Sequence, residues 1–184
     1  MSDLKEELAE RIEKLNVFKT GEFTLASGAK SNFYIDGRMI TLDPIGSEII
    51  SKIILNNLDN DITAIGGPAT AAIPIISSLI LVSNMVFSRK LNGFYVRPSV
   101  KDHGLSNSIE GSVNQKDKVA IVDDTITSGN SLINSIKEVE KLGCTVTQTF
   151  AVFDRGQGGV EKLKDAGYKN HSIFKYSHNK NKLI

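Results

Sequence analysis

A chain of 184 residues with 40% hydrophobic and 23% charged side chains has the composition of an ordinary soluble globular protein, long enough to bury one sizeable core. Its 22 basic and 21 acidic residues leave a net charge of +1, which excludes a global field for nucleic acid or an anionic membrane and makes any anion site local. A single cysteine, Cys144, rules out an intrachain disulfide framework and reads as a small buried thiol, and the Glu-rich N-terminus without an apolar signal core points to the cytoplasm.

Leu4, Leu8, Ile12 and Leu15 recur at helical spacing with charges between them, predicting an amphipathic first helix. "FTLASGAKSNFYIDGR" predicts two short strands around a Ser-Gly turn, and Pro44 to Leu58 a helix with Ile45, Ile49, Ile50, Ile53 and Ile54 inward. From there strand and helix alternate. "DITAI" predicts a buried strand, "GGPAT" a turn, and Ala71 to Leu81 a helix. The apolar run Ala71 to Phe87 is broken by Pro74, Ser77, Ser78, Ser83 and Asn84, too interrupted to span a bilayer and better suited to a buried helix leading to a turn. "FYVR" predicts the next strand, followed by a long polar stretch from Pro98 to Gln115 that suits a mobile functional loop. "KVAIV" is then a strand, Asn130 to Leu142 a helix with Leu132, Ile133, Ile136 and Val139 on one face, and "TVTQTFAVF" another strand. No repeat or linker interrupts residues 1–184, so one domain is expected. The alternation predicts an α/β architecture, a mostly parallel sheet flanked by helices, with ligands beyond the carboxyl ends of the strands.

"KVAIVDDTITSGNS" carries the chemistry. Two adjacent carboxylates, Asp123 and Asp124, repel each other and suit neither strand nor helix, so folding alone does not explain them. The small residues that follow, Thr125 to Ser131, let backbone N–H groups converge at a helix start, where a phosphate is stabilised. Carboxylates beside a phosphate cradle should face another part of the same ligand, such as vicinal sugar hydroxyls or a divalent metal. The motif thus fits a ribose 5-phosphate. A phosphoacceptor receiver domain would carry its acidic pair early in the chain, whereas this pair lies two thirds along it.

"VAIVDDTITSG" resembles the 5-phosphoribosyl 1-diphosphate signature of the type I phosphoribosyltransferases. "TGEFTLASGAKSNFYID" and "YVRPSVKDHGLSNSIEG" resemble the N-terminal segment and catalytic loop of the orotate-using branch, so the resemblance spans about Glu22 to Gly159. It implies the type I fold with a small N-terminal hood, here about residues 1–40, and transfer of the phosphoribosyl group to orotate with release of diphosphate. It places Arg97, Lys101, His103, Asp123, Asp124, Thr125, Ile126, Thr127, Ser128, Gly129, Asn130 and Ser131 around the donor, and Thr127 and Arg155 around orotate. Lys101 and His103 would stabilise the departing charge, while Asp123 and Asp124 hold the ribose and favour positive charge near its C1. Mg²⁺ is the implied cofactor, held mainly through the substrate with Asp123 and Asp124 as its protein-side candidates. A homodimer with shared active sites is also implied, with no nucleic-acid or membrane partner.

Two assignments stay open on the residues alone. "GGPAT" serves either as a diphosphate loop or as a tight turn with Pro68 at its corner, and Phe33 and Tyr34 either stack on the base or pack in the core. His171 and His178 match no motif position and read as structural or exposed. Ala26, Ala71 and Pro98 stand where many relatives carry cations. These losses keep alive a non-catalytic sensor of phosphoribosyl ligands, and an enzyme for a purine base is the other alternative.

Overall fold

Helix α1 spans Ser2–Lys14 in the computed structural model, which describes residues 2–24, 28, 30–98 and 108–184. Its apolar stripe turns Leu8 and Ile12 into the core, as the spacing predicts, with Leu4 and Leu15 packed at the margin. The chain then forms an antiparallel hairpin, β1 (Phe18–Thr24) and β2 (Lys30–Ile35), with a register shift between Thr20 and Phe23. A one-turn helix, α2 (Gly37–Thr41), joins the hairpin to α3 (Pro44–Asn57).

Helix α3 begins where Asp43 caps it, its carboxylate accepting from the Gly46 amide at 2.8 Å while Pro44 occupies the first turn. Ile49, Ile50 and Ile54 are buried and Ile53 packs at the margin. Ile45, expected inward, is exposed, because Gly46 takes the inward position of the first turn, with no room for a Cβ beside Ile40.

The main sheet has seven strands in the order β5-β4-β3-β6-β7-β8-β9. Its five central strands, β4 (Asn92–Val96), β3 (Ala64–Gly66), β6 (Lys118–Ile126), β7 (Thr145–Asp154) and β8 (Lys169–Ser177), are parallel. The edges β5 (Ile109–Gly111) and β9 (Lys182–Leu183) are antiparallel. Helices α4 (Ala72–Phe87), α5 (Asn130–Lys141) and α6 (Gly159–Asp165) fill the crossovers. The expected helix from Ala71 runs six residues past Leu81, and its far end leaves the apolar Leu81, Met85 and Val86 exposed. Within the polar stretch after Pro98, β5 pairs with β4; residues 99–107 lie outside the described residues.

Strand β6 shows how the two layers are made. Ala120 and Val122 join the core beneath α1, α3 and α4, whereas Val119 and Ile121 join the core beneath α5 and α6. All four are fully buried, so β6 reads as a continuous apolar run. Cys144 is buried on the α5 side, with its thiol against the Asn114 carbonyl at 3.3 Å and its ionisation pushed up by burial.

Arg11 ties the first layer together by donating to both oxygens of Asp43, at 2.5 and 2.8 Å. This pairing, with the Gly46 amide, lowers the Asp43 carboxyl to about 2. A depressed carboxyl contributes stability that is present above its unfolded value of roughly 4 and is lost as pH falls through about 2. Asp43→Asn is therefore expected to melt a few degrees lower at pH 7, with the deficit shrinking between pH 4 and pH 2; a deficit constant across that range would show that the carboxylate charge is not what anchors α1 to α3.

Candidate functional site

Strand β6 does not end before its acids. The ladder with β7 continues through Thr125 and Ile126, so Asp123 and Asp124 stand inside the strand rather than just past its end, and the loop expected from Thr125 starts after Ile126. Strand alternation sends them to opposite faces. Asp123 lines a cup of about 70 Å³ formed with Thr125 to Leu132, at the start of α5. Asp124 faces the hood turn, where a Cβ on Gly37 would lie 2.5 Å from its Oδ2. The Asp124 amide donates to Asp123 Oδ1 at 2.9 Å, which joins the pair without neutralising either.

Burial raises both carboxyls. Asp123, 7% exposed, is pushed well above the ordinary carboxylate range first by loss of water and then by the charge of Asp124. Asp124 is also raised by burial, offset by the Thr125 amide, by Asp123 and by the nearby Arg38.

The residues expected to form a phosphate loop line the cup. Thr127, Ser128, Asn130 and Ser131 are exposed around it, whereas Ile126 is buried in the α5 core and contributes only backbone. Gly129 has φ +74°, and its neighbour across the loop is Gly159, where a Cβ would lie 2.6 Å from the Thr127 carbonyl oxygen and 2.8 Å from the Gly129 nitrogen. Lys162 of α6 donates to Asn130 Oδ1 at 2.5 Å, placing a cation beside the rim.

A second cavity, of about 350 Å³, lies between Pro68 and Ala69 of the "GGPAT" turn, Arg97, Ser108, Ser131 and Glu138. The turn has structural duties as well: the Ala69 amide donates to the Val96 carbonyl at 2.8 Å and the Val96 amide to that of Gly67 at 2.8 Å. Arg97 pairs with Glu110 at 3.0 Å. Lys101, His103 and Ala26 lie outside the described residues.

Arg155 stands past the end of β7, 6% exposed, with its backbone amide bonded to the Ile126 carbonyl at 3.0 Å. Its guanidinium lies 4.5 Å from the Phe33 ring centroid, Nη2 reaches Ser31 Oγ at 3.3 Å, and Nε is buried without a partner among the described residues. Burial lowers its pKa. Phe33 is thus core rather than a free stacking surface: Tyr176 stacks on it at 3.7 Å. Tyr34 packs against Phe23 instead, at 5.7 Å.

Sequence reasoning missed the turn Asp36-Gly37-Arg38, where Arg38 pairs with Asp36 at 3.3 Å and sits within electrostatic reach of Asp124. The "IDGR" stretch signalled it only as a glycine flanked by opposite charges. His178, expected to be structural or exposed, is exposed, yet its Nε2 lies 3.2 Å from the Gly156 carbonyl oxygen. His171 is half-buried in β8 and stacks on Phe150 at 5.2 Å.

A raised carboxyl gives stability that is fully present below its unfolded pKa and lost as pH rises through its folded one. In metal-free, ligand-free buffer, Asp123→Asn is therefore expected to raise the melting temperature at pH 7 to 8 by about 2–4 °C, the equivalent of about 1 kcal/mol in a domain of this size, and to lose that advantage toward pH 4. Destabilisation at every pH would mean that the acid holds the fold together.

The phosphoribosyl transferase domain family matches residues 42–180 of the chain. An orotate phosphoribosyltransferase of Methanosphaera stadtmanae is 34% identical over 166 residues, covering 90% of each chain. The crystal structure of Mycobacterium tuberculosis orotate phosphoribosyltransferase in complex with Fe(III) dicitrate superposes with a TM-score of 0.80 at 31% identity, over 94% of this chain and 96% of that one. The same enzyme in complex with 5-phospho-α-D-ribosyl 1-diphosphate gives 0.76 at 28% identity, over 94% and 96%.

Proposed function

This chain belongs to the orotate phosphoribosyltransferase family, and on that premise we propose that it transfers the 5-phosphoribosyl group from 5-phosphoribosyl 1-diphosphate to N1 of orotate, forming orotidine 5′-monophosphate and diphosphate. It works as one type I phosphoribosyltransferase domain, residues 1–184, with about residues 1–40 as its hood. The observation that carries this reading is the acid pair of β6, whose buried Asp123 lines the cup at the start of α5 while Asp124 faces Gly37.

Each part has a duty. The cup of Thr127 to Ser131 receives the 5-phosphate on backbone N–H groups at the start of α5, with hydroxyls of Thr127, Ser128 and Ser131 around it. Asp123 and Asp124 accept from ribose hydroxyls and, held in a dry strand end, favour positive charge as it develops at C1. Arg97 leaves Glu110 to meet the diphosphate in the cavity beside Ala69, joined by Lys101 and His103 of the adjoining loop. Arg155 pairs with the carboxylate of orotate, with Thr127 against the ring.

Two carboxylates suit a hard cation but supply too few oxygens for it; among the described residues no third acidic, His or Cys side chain joins them. Mg²⁺ therefore fits as an ion held mainly by substrate oxygens, with Asp123 and Asp124 its protein contacts, and when bound it neutralises the leaving diphosphate.

The chain acts in the cytoplasm as a homodimer. Among its described residues no helix is long and apolar enough to cross a membrane, and the exposed Leu81, Met85 and Val86 of α4 are the kind of surface a second subunit covers. A loop reaching across that dimer would deliver Lys101 to the partner's site.

The test is incubation with the donor, Mg²⁺ and orotate, following loss of orotate absorbance; turnover of hypoxanthine or uracil without turnover of orotate would sink the assignment. Asp123→Asn with Asp124→Asn is expected to abolish donor binding, read by calorimetry, while the protein still melts cooperatively. For the shared site, a Lys101→Ala subunit mixed with that double mutant should regain activity, because each mixed dimer holds one intact site. Mixed dimers that demonstrably form and stay inactive would put Lys101 in its own subunit's site.

A further inference from the structure

The turn that carries Arg155 is short of support from its own residues. Gly156 and Gly158 take positive φ, +65° and +87°, so Arg155 to Gly158 has little intrinsic preference for one shape. Its shape comes from elsewhere. Asp154 Oδ1 accepts from the Gly156 amide at 2.8 Å, and Lys175 of β8 stands 3.5 Å from the other oxygen. Tyr176 backs the Phe33 ring on which the guanidinium rests, and donates its own hydroxyl to Asn181 at 2.5 Å. His178 closes the circuit: its ring is edge-on to Tyr176 at 4.8 Å, and its Nε2 meets the Gly156 carbonyl oxygen at 3.2 Å. Since a carbonyl only accepts, Nε2 carries the hydrogen.

We propose that His178 is a positioning residue for Arg155, and that the β8–β9 hairpin is a clasp which sets affinity for the acceptor's carboxylate. The inference rests on the reading that Arg155 pairs with that carboxylate. A guanidinium with one side-chain hydrogen bond among the described residues, to Ser31 at 3.3 Å, depends on its backbone turn for direction. With Gly156 tied on both sides, amide to Asp154 and carbonyl to His178, the guanidinium waits over Phe33 in the geometry a carboxylate needs. Releasing the carbonyl lets the two-glycine turn move, and the acceptor must then order it on binding. Because His178 is exposed, its removal costs the fold little.

Two readouts in the full chain test this. In steady-state kinetics with orotate and donor, His178→Ala is expected to raise KM for orotate about fivefold, the size of one hydrogen bond, with KM for the donor within about twofold of wild type; His178→Gln, which keeps an N–H donor, should recover most of the loss. In the ligand-free ¹⁵N-labelled protein, the Arg155 Nε–H resonance, assigned by its disappearance in Arg155→Lys, should sit upfield under the Phe33 ring and move downfield in His178→Ala. An unmoved resonance overturns the clasp. A moved resonance with unchanged KM for orotate, or an equal rise in both KM values, overturns its link to the acceptor. If wild type fails to turn over orotate at all, the functional reading falls on that result alone, and the resonance still decides whether His178 positions Arg155.

Discussion

A buried carboxylate, Asp123, beside a half-buried one, Asp124, near the end of the central strand is the constraint around which this molecule is arranged. Desolvation raises both pKa values, so the ionised pair works against folding, and the Asp124 amide bonded to Asp123 offsets this in part. The stability that offsets this comes from the same strand. Val119 to Val122 are fully buried between β3 and β7, and they feed both core layers. The low local dielectric that makes the pair costly in the free protein strengthens its attraction for a sugar carbon gaining positive charge. The destabilisation and the proposed catalysis thus arise from one physical cause.

Reaching those acids requires other chain segments to approach β6 more closely than a side chain permits. A Cβ on Gly67 would lie 2.1 Å from the Val122 carbonyl oxygen, one on Gly37 would strike the Asp124 carboxylate, and one on Gly159 would enter the loop after Ile126. The first brings in the "GGPAT" turn, the second the hood, and the third the turn that carries Arg155. Three elements distant in sequence therefore converge on one strand end through glycine contacts, against the backbone of Val122, Thr127 and Gly129, the side chains of Ala72 and Ile126, and the Asp124 carboxylate.

Much of this was legible in the residues. Helical period located α1, α3 and α5, and the alternation of strand and helix located the parallel sheet, because those features depend on local spacing and on which faces meet the core. The boundaries were less legible. β6 continues through its acids because β7 supplies ladder partners as far as Ile126, a tertiary effect that overrides the poor strand propensity of aspartate. Ile45 looked inward because a helical wheel takes no account of Gly46 packing against Ile40. Phe33 was undecided because only the fold brings Tyr176 and Arg155 to its ring from residues far along the chain. The contribution of His178 had no local signal: it is a contact to a backbone carbonyl, which depends on the fold and not on the residues next to it in sequence.

The chain lacks cations at Ala26, Ala71 and Pro98, which bears on how it would hold two phosphate-bearing groups with so little net charge. Among the described residues, three cations near the site already have partners: Arg97 with Glu110, Arg38 with Asp36, and Lys162 with the Asn130 amide oxygen. Binding an anionic donor is then an exchange of partners rather than the filling of an empty positive pocket. Such an exchange is inexpensive where the existing pair is solvated. The Arg97 and Glu110 side chains are 33% and 45% exposed, and an ion pair so placed contributes about 0–1 kcal/mol, less than a charge-assisted bond to phosphate in a narrowing cleft. Arg155 is the opposite case, desolvated before any ligand arrives, so the carboxylate pairing proposed for it recovers a cost already met in folding. On the proposed function, selectivity for a carboxylated acceptor resides in Arg155 and its supports, and donor affinity in the loosely paired cations and the loop of the cup.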